Sequence, residues 1–328
     1  MSQGDIEFIL DKNVITVDRN GMVNWAELTE YNDYKISEVR RLARAKRLYL
    51  IDNTLLITVF PPEVFALFKN VYVLTYIPEG STFLPYCDIF GLDYSIATIT
   101  KKEDVYSLTD CEVGYDNDYR LNFSELVQIC DEKKLQTKKR LSINWYTKAS
   151  CDDVQDIATK VGSYYNTYVK KMCGKKPKVR DIMWTCPKDE QDRIAGKGFT
   201  RAKPTAEEKE KYNSIGKLDD YIKSLECFVP SNARATNMYR NRWALAYCLD
   251  ININPYVEKF FANFDDDRAA SGKAPVRLNK DAYSVSGLVQ WICRSRVRDG
   301  LPVTLYLPSK RMQDLLKKWE TDGLSCAS

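Results

Sequence analysis

The chain contains no histidine in its 328 residues. That excludes a Ser-His-Asp triad, a Cys-His pair, a histidine general base and any histidine-held metal from what it can do alone. No apolar run reaches the ~20 residues of a membrane-spanning helix. The opening MSQGDIEFIL has no basic stretch leading into an apolar one, so no secretory leader is expected and a cytoplasmic location is. Ten cysteines are present, yet none lies closer than 13 residues to another, so the paired spacing of zinc ligands is missing. Reduced, mostly buried thiols and no metal are expected, and no cysteine is favoured as a nucleophile.

Two further absences concern nucleotide chemistry. The phosphate-binding loop G-x-x-x-x-G-K-[ST] does not occur. Its nearest approach, Gly196-Lys197-Gly198-Phe199-Thr200, lacks the upstream glycine, and no buried strand is expected ahead of it. A carboxylate pair closing a buried strand is also missing. Asp131-Glu132 follows VQIC, which has helical periodicity, and Asp265-Asp266-Asp267 reads as part of a polar loop.

What is present suits an ordinary globular protein: 44% hydrophobic, 29% charged and 12% aromatic residues. The length allows about two domains. The net charge of +4 hides an asymmetry. Residues 1–132 hold 12 Lys+Arg against 22 Asp+Glu, and residues 133–223 hold 22 against 12. The middle therefore presents a positive field to a polyanion, densest at Lys133–Arg140 and Lys170–Arg180. Charge alone supports a solvated helix face and loop as well as a nucleic-acid surface.

Periodicity orders the elements. Residues 13–18 and 22–25 flank Asn20-Gly21 as a hairpin. Residues 35–47 form a basic amphipathic helix with Ile36, Val39, Leu42 and Ala43 inward. LYLIDNTLLITVF (48–60) gives two strands around Asp52-Asn53, and NVYVLTYIP (70–78) reads as a buried strand. Residues 81–120 read as strand and loop with an acidic turn at 114–119. Helices are expected at 122–135, 151–172, from Pro255, and at 281–300 and 309–319, the last capped by Ser309. RLSINWYT (140–147) and PVTLYLP (302–308) read as strands, and a helix is expected around Tyr239–Leu249. Residues 187–224 read as a loop and a charged helix, in the manner of an insertion. Strands alternating with helices imply an α/β fold.

Two segments concentrate arginine at element boundaries. Ser231–Arg240 leads small polar residues into the expected helix, whose N-terminus would offer N–H groups to an anion. Gln290, Arg294 and Arg298 are spaced i, i+4, i+8, which places them on one face of the expected helix, with Arg296 pointing elsewhere. Guanidinium groups in such a row suit phosphate oxygens, and an exposed face paired with acids suits the spacing equally.

The segments SNARATNMYRNRWALAY, GLVQWICRSRVRDG and LYLPSKRMQDLLKKW resemble the second half of superfamily 2 DEAD-like helicases of prophages and other mobile elements. KNVYVLTYIP, LSINWY and DIMWTC with GKGFT extend the resemblance over about residues 10–320. It implies a RecA-like lobe at 113–328, with a basic insertion around 187–226, after a partial first lobe or accessory α/β domain at 1–112. It implies arginine-finger roles for Gln290, Arg294 and Arg298. Contacts to nucleic acid are implied for Asn232, Arg234, Thr236, Asn237, Arg240 and Lys197, and the Thr75 segment would join the first lobe to the linker. The arginine spacing is looser than the usual helicase pattern.

The Walker A and Walker B motifs that hold the β/γ-phosphates and Mg²⁺ are missing here. ATP and Mg²⁺ would then enter only with a partner chain. The expectation is a helicase-like nucleic-acid-binding protein, DNA favoured, catalytically incomplete alone and paired with an ATP-gripping or regulatory protein. The competing reading is a protein-interaction module, an inhibitor or regulator on a helicase-like scaffold, whose acidic first 132 residues would cover a basic partner. Trp145, Tyr146, Trp184 and Tyr239 lie near basic residues, where they would either stack on bases or pack in the core.

Overall fold

The computed structural model describes residues 1–26, 34–110, 117–233 and 236–322. Arg234 and residues 114–116 of the expected acidic turn lie outside the described residues. The chain divides into two units, Met1–Ile96 with Ile253–Asn279, and Ala97–Asn252 with Lys280–Ser328.

The first unit opens with a helix that periodicity did not reveal, α1 (Gln3–Asp11). It starts on a capping box: Ser2 Oγ accepts from the Asp5 N–H at 3.3 Å, and the Asp5 carboxylate accepts from the Ser2 N–H at 2.7 Å. The expected hairpin forms as β1 (Ile15–Val17) and β2 (Val23–Trp25), antiparallel, with Ile15 opposite Trp25. The amphipathic helix forms as α2 (Tyr34–Arg44), and buries Val39 and Ala43 against Ile6, Ile9, Val14 and Val23. β3 (Leu48–Ile51) and β4 (Leu55–Thr58) pair around Asp52 and Asn53, both at positive φ, which Asp and Asn tolerate well.

NVYVLTYIP is not a strand. Residues 70–75 have no strand alongside among the described residues, and Tyr72 and Leu74 are exposed, Leu74 by 87%. An apolar β-branched run has β propensity but cannot form a ladder without a partner for its N–H and C=O groups. Next comes α3 (Phe83–Phe90), where strand and loop were expected.

The second unit starts with the hairpin β5 (Ala97–Lys102) and β6 (Val105–Asp110). The expected helix 122–135 is split. α4 (Asn117–Leu126) is followed directly by strand β7 (Val127–Ile129), so Asp131-Glu132 does follow a strand. RLSINWYT becomes α5 (Ile143–Lys148), because Ser142 Oγ accepts from the Trp145 N–H at 3.2 Å and caps a helical turn. The long helix appears as α6 (Cys151–Ser163), a π turn at Tyr164–Tyr168 and α7 (Val169–Cys173). Ser150 caps it, and Gly174 ends it at φ 76°.

β8 (Ile182–Thr185) is fully buried. The charged stretch after it holds α8 (Gln191–Ile194), α9 (Ala206–Ser214) and α10 (Leu218–Ser224). The helix expected around Tyr239–Leu249 is instead strand β9 (Ala244–Tyr247). Its alanines and leucine favour helix in isolation, but buried pairing on both edges overrides propensity. The chain then supplies α11 (Pro255–Ala262) and α12 (Asp265–Ala270) to the first unit, where Phe260, Phe261 and Phe264 pack on Tyr49 and Ile51. Asp265–Asp267 thus opens a helix rather than a loop. The second unit closes with α13 (Lys280–Ile292), β10 (Val303–Tyr306) and α14 (Lys310–Asp322). Ser309 Oγ accepts from the Met312 N–H at 3.4 Å, as its capping role required.

Four strands form one all-parallel sheet in the order β7-β10-β9-β8, of which β8, β9 and β10 are fully buried and β7, at the edge, is only partly so. This is the expected α/β class. At the carboxyl end of β9, the Asp250 side chain is 1% exposed and ion-pairs with Arg311. Arg311 also donates to Ser284 Oγ (3.0 Å) and the Ile251 carbonyl (3.3 Å), so it joins the strand end to α13 and α14. No helix among the described residues is long and apolar enough to cross a membrane.

Two stability predictions follow from this unit. Arg311→Met leaves the Asp250 carboxylate buried without its cation, and urea unfolding should register a loss of about 3 kcal/mol. Glu320 on α14 is pushed up to about 7 by burial, against a smaller opposing pull from Lys317. Its native carboxyl therefore keeps a proton that the unfolded chain releases near pH 4.5. The stability this contributes is complete in acid and disappears as pH rises through 7. Glu320→Gln should flatten that decline between about pH 4.5 and 7 in denaturant titrations, and an unchanged slope would refute the assignment.

Candidate functional site

Parallel strands place every entering loop on one edge of the sheet. Residues 174–181 enter β8, 231–243 enter β9 and 293–302 enter β10. Two of these loops are the arginine-bearing segments singled out in the sequence. Main-chain bonds knit them just before the strands begin. The Trp243 N–H donates to the Asp181 carbonyl (2.9 Å), and the Arg296 N–H donates to the Arg242 carbonyl (3.1 Å).

Side chains link the same segments. Arg298, exposed, donates to Asn237 Oδ1. Arg240 Nε donates to both carboxylate oxygens of Asp299, at 2.8 and 2.6 Å. That guanidinium holds the Asp299 carboxyl below its ordinary range, and Asp299 in turn raises the pKa of Arg240. Thr236 Oγ1 accepts from the Met238 N–H at 3.2 Å and shapes a local turn. Asn232 is exposed on the same loop. Lys197 is exposed on a separate loop.

The arginine row does not follow one helical face. α13 stops at Ile292, where Ser295 Oγ donates to the Ile292 carbonyl (2.6 Å) and accepts from the Val297 N–H (3.4 Å). A new 3₁₀ turn, Arg296–Asp299, starts there and ends at Gly300 with φ 69°. Gln290 Nε2 donates to Ser286 Oγ at 2.9 Å. Arg294 is 9% exposed and donates to the Gln290 carbonyl at 2.6 Å, which satisfies a carbonyl at the end of the helix. Of the three, Arg298 is the exposed one.

Two expectations about phosphate loops also change. Ser231–Arg240 leads into a strand, so no helix N-terminus faces an anion there. A buried strand does precede the GKGFT segment, namely β8, but a 3₁₀ turn and α8 intervene. Phe199 is buried against Trp184, whose Nε1 donates to the Phe199 carbonyl at 2.7 Å, so the segment is anchored by its aromatic ring.

Residues that the sequence did not single out complete the edge. Buried Trp243 carries the Lys175 ammonium 4.7 Å from its ring centroid and the Arg296 guanidinium at 5.4 Å. Arg242 is buried beneath and donates to the carbonyls of Val179 (3.0 Å), Ser224 (2.7 Å) and Glu226 (3.3 Å). The signal was an aromatic residue at the mouth of a buried run, WALAY, close in sequence to Arg240. Of the four aromatics considered for base stacking, Tyr146, Trp184 and Tyr239 are buried, and Trp145 is partly exposed with Lys139 5.8 Å from its ring. Burial pushes the Cys293 thiol up, against smaller opposing pulls from the Tyr119 hydroxyl 3.1 Å away and from Arg298 and Arg294, so it lacks the lowered pKa of a reactive cysteine. What the edge offers chemically is exposed cations, Arg298, Lys175, Lys176 and Lys178, held on a rigid rim.

Residues 121–320 match the family model described as the YonV C-terminal Rossmann-like domain, and residues 1–58 match that of the YonV middle domain. The chain is similar to the SPbeta prophage-derived uncharacterized protein YonV of Bacillus subtilis (strain 168). The two are 26% identical over 327 residues, which cover 97% of this chain and 69% of that protein. No solved structure matches.

Because Arg240 and Asp299 pair at the surface, Asp299→Asn should leave the melting temperature within about 2 °C of wild type. A larger drop would mean that the pair holds the two loops in place.

Proposed function

The chain belongs to the family of the YonV C-terminal Rossmann-like domain, and on that footing we propose a helicase-like, nucleic-acid-binding protein of prophage origin. It grips phosphates, DNA favoured, with the strand-entry edge of its parallel sheet. The observation that carries this reading is the meeting of the two arginine segments: Arg298 on Asn237 and Arg240 on Asp299, beside Lys175 and Arg296 on Trp243. A phosphate oxygen replaces Asn237 Oδ1 as the acceptor for Arg298 and competes with Asp299 for Arg240. Guanidinium binds phosphate in a two-pronged fork, so the exchange favours the anion with more charge.

The same edge argues for incompleteness. A parallel α/β sheet that holds its own nucleotide does so beyond the carboxyl ends of its strands. Here those ends carry bonds within the chain, among them Asp250–Arg311 and Gln313 to the Leu307 carbonyl (2.6 Å), beside the buried Thr185 Oγ1 and Tyr247 hydroxyl, which have no hydrogen-bond partner among the described residues. The arginines lie at the opposite end, where they serve a phosphate brought by another body. In this reading Arg298, the exposed member of the row, acts as a finger toward nucleotide on a partner chain. ATP and Mg²⁺ are then the partner's to hold.

A protein-interaction role is the second reading. It is favoured by the exposed apolar stretch from Leu67 to Leu74, which includes Phe68 and Tyr72.

Salt dependence separates the two. Binding to single-stranded DNA should weaken steeply between 50 and 200 mM salt, on the order of tenfold or more. Arg298→Ala and Lys175→Ala should each reduce the slope of log K against log salt by about 0.7. Salt-insensitive binding, or none, would favour the interaction module. ATP turnover by the chain alone, stimulated by DNA and lost in Arg298→Ala, would overturn the claim of incompleteness.

A further inference from the structure

The charged stretch after β8 lines an open cavity of about 530 Å³ that lies apart from the arginine segments. Arg201, Lys203 and Lys209 line it, together with Glu226, Pro204 and Ile222. Arg201, Lys203 and Lys209 are exposed, and among the described residues none of them makes an ion pair. Three cations against one carboxylate leave the lining with a surplus of two positive charges.

The walls are held by bonds that do not consume those cations. Arg180 makes a two-pronged bond to Glu208 on α9, at 2.8 and 2.7 Å. It also donates to the Lys203 carbonyl (3.0 Å) and to the Tyr221 hydroxyl on α10 (3.1 Å). One guanidinium thus fastens the loop and both helices. Glu208 further accepts from the Thr205 N–H at 2.8 Å, in a capping box that starts α9. With Arg180 beside it, the Glu208 carboxyl stays far below its ordinary range and remains an anion. Tyr212 and Tyr221 stack at 3.9 Å, joining α9 to α10. The far wall is set by Arg242, which binds the Glu226 carbonyl. A cavity whose walls are tied together and whose lining carries a surplus of positive charge is suited to an anion.

We propose that this cavity is a binding site for a phosphomonoester of nucleotide size. The volume falls in the range of small-molecule sites and is large for an inorganic anion alone. A phosphomonoester carries about −1.5 to −2 charge at pH 7, which matches the surplus of the lining. Pro204 and Ile222 offer an apolar surface to the sugar or ring. Two sources share this chemistry: a free nucleoside monophosphate and the 5′-phosphorylated end of a strand. The site does not depend on the strand-entry edge and stands if the reading of that edge fails.

Calorimetric titration of the full chain tests it with three probes: adenosine 5′-monophosphate, a 5′-phosphorylated single-stranded oligonucleotide, and the same oligonucleotide without the phosphate. Binding of the monophosphate is expected, and Lys203→Glu and Lys209→Glu should each weaken it by about tenfold or more. A clear preference for the phosphorylated over the plain oligonucleotide identifies the strand end as the source. Equal binding of the two, with the monophosphate still bound, identifies the free nucleotide. Lys12→Ala, an exposed cation in the first unit, should leave monophosphate affinity unchanged. Melting curves verify folding, and Lys209→Gln serves as a milder variant where a charge reversal unfolds the chain. No binding of the monophosphate or of the strand end at millimolar concentration, or binding indifferent to the folded Lys203 and Lys209 variants, overturns the proposal.

Discussion

All four strands of the sheet run the same way, and most of what is particular to this protein depends on that. In a parallel sheet each strand must be re-entered from the same edge. The loops before β8, β9 and β10 therefore collect on one rim, although they are separated by dozens of residues in the chain. Segments 231–240 and 290–298 meet there for that reason, and Trp243 lies between Lys175 and Arg296 for the same one. No local feature of either segment required the meeting.

The two edges of the sheet are treated differently. At the carboxyl edge several buried polar groups are satisfied within the chain, while the buried Thr185 Oγ1 and Tyr247 hydroxyl at the ends of β8 and β9 have no hydrogen-bond partner among the described residues. Asp250 has Arg311, the Tyr146 hydroxyl donates to the Cys248 carbonyl at 2.8 Å, and Gln313 bridges the Leu307 carbonyl and the Gln136 side chain. Such bonds rigidify that edge. At the strand-entry edge the buried arginine, Arg242, is spent on carbonyls, while Arg298 and the lysines above it reach water. The division between structural and available cations is one of depth.

The charged stretch after β8 repeats this division on a smaller scale. Arg180 is engaged by Glu208, Tyr221 and the Lys203 carbonyl, whereas the lysines and arginine that line the cavity make no ion pair among the described residues. A composition count sees only an excess of positive charge in residues 133–223. It cannot separate a guanidinium that holds walls together from an ammonium that faces a ligand.

Elements whose pattern is complete within a dozen residues were legible from the sequence alone. The hairpin at Asn20-Gly21, the amphipathic α2, the strand pair around Asp52-Asn53, the Ser309-capped α14 and the α/β class all follow from local turn chemistry and periodicity. The elements that were not legible depend on distant partners. Val127–Ile129 is a strand because β10 lies beside it, and Ala244–Tyr247 is one because it is buried between two neighbours. Residues 70–75 carry a strand's composition with no strand alongside among the described residues. For the site, the sequence supplied the residue types and the two segments. The break at Ser295, which buries Arg294 and turns Arg298 outward to Asn237, was decided by the tertiary structure, because one hydroxyl bonding across a helix end outweighs the periodicity of the arginines around it.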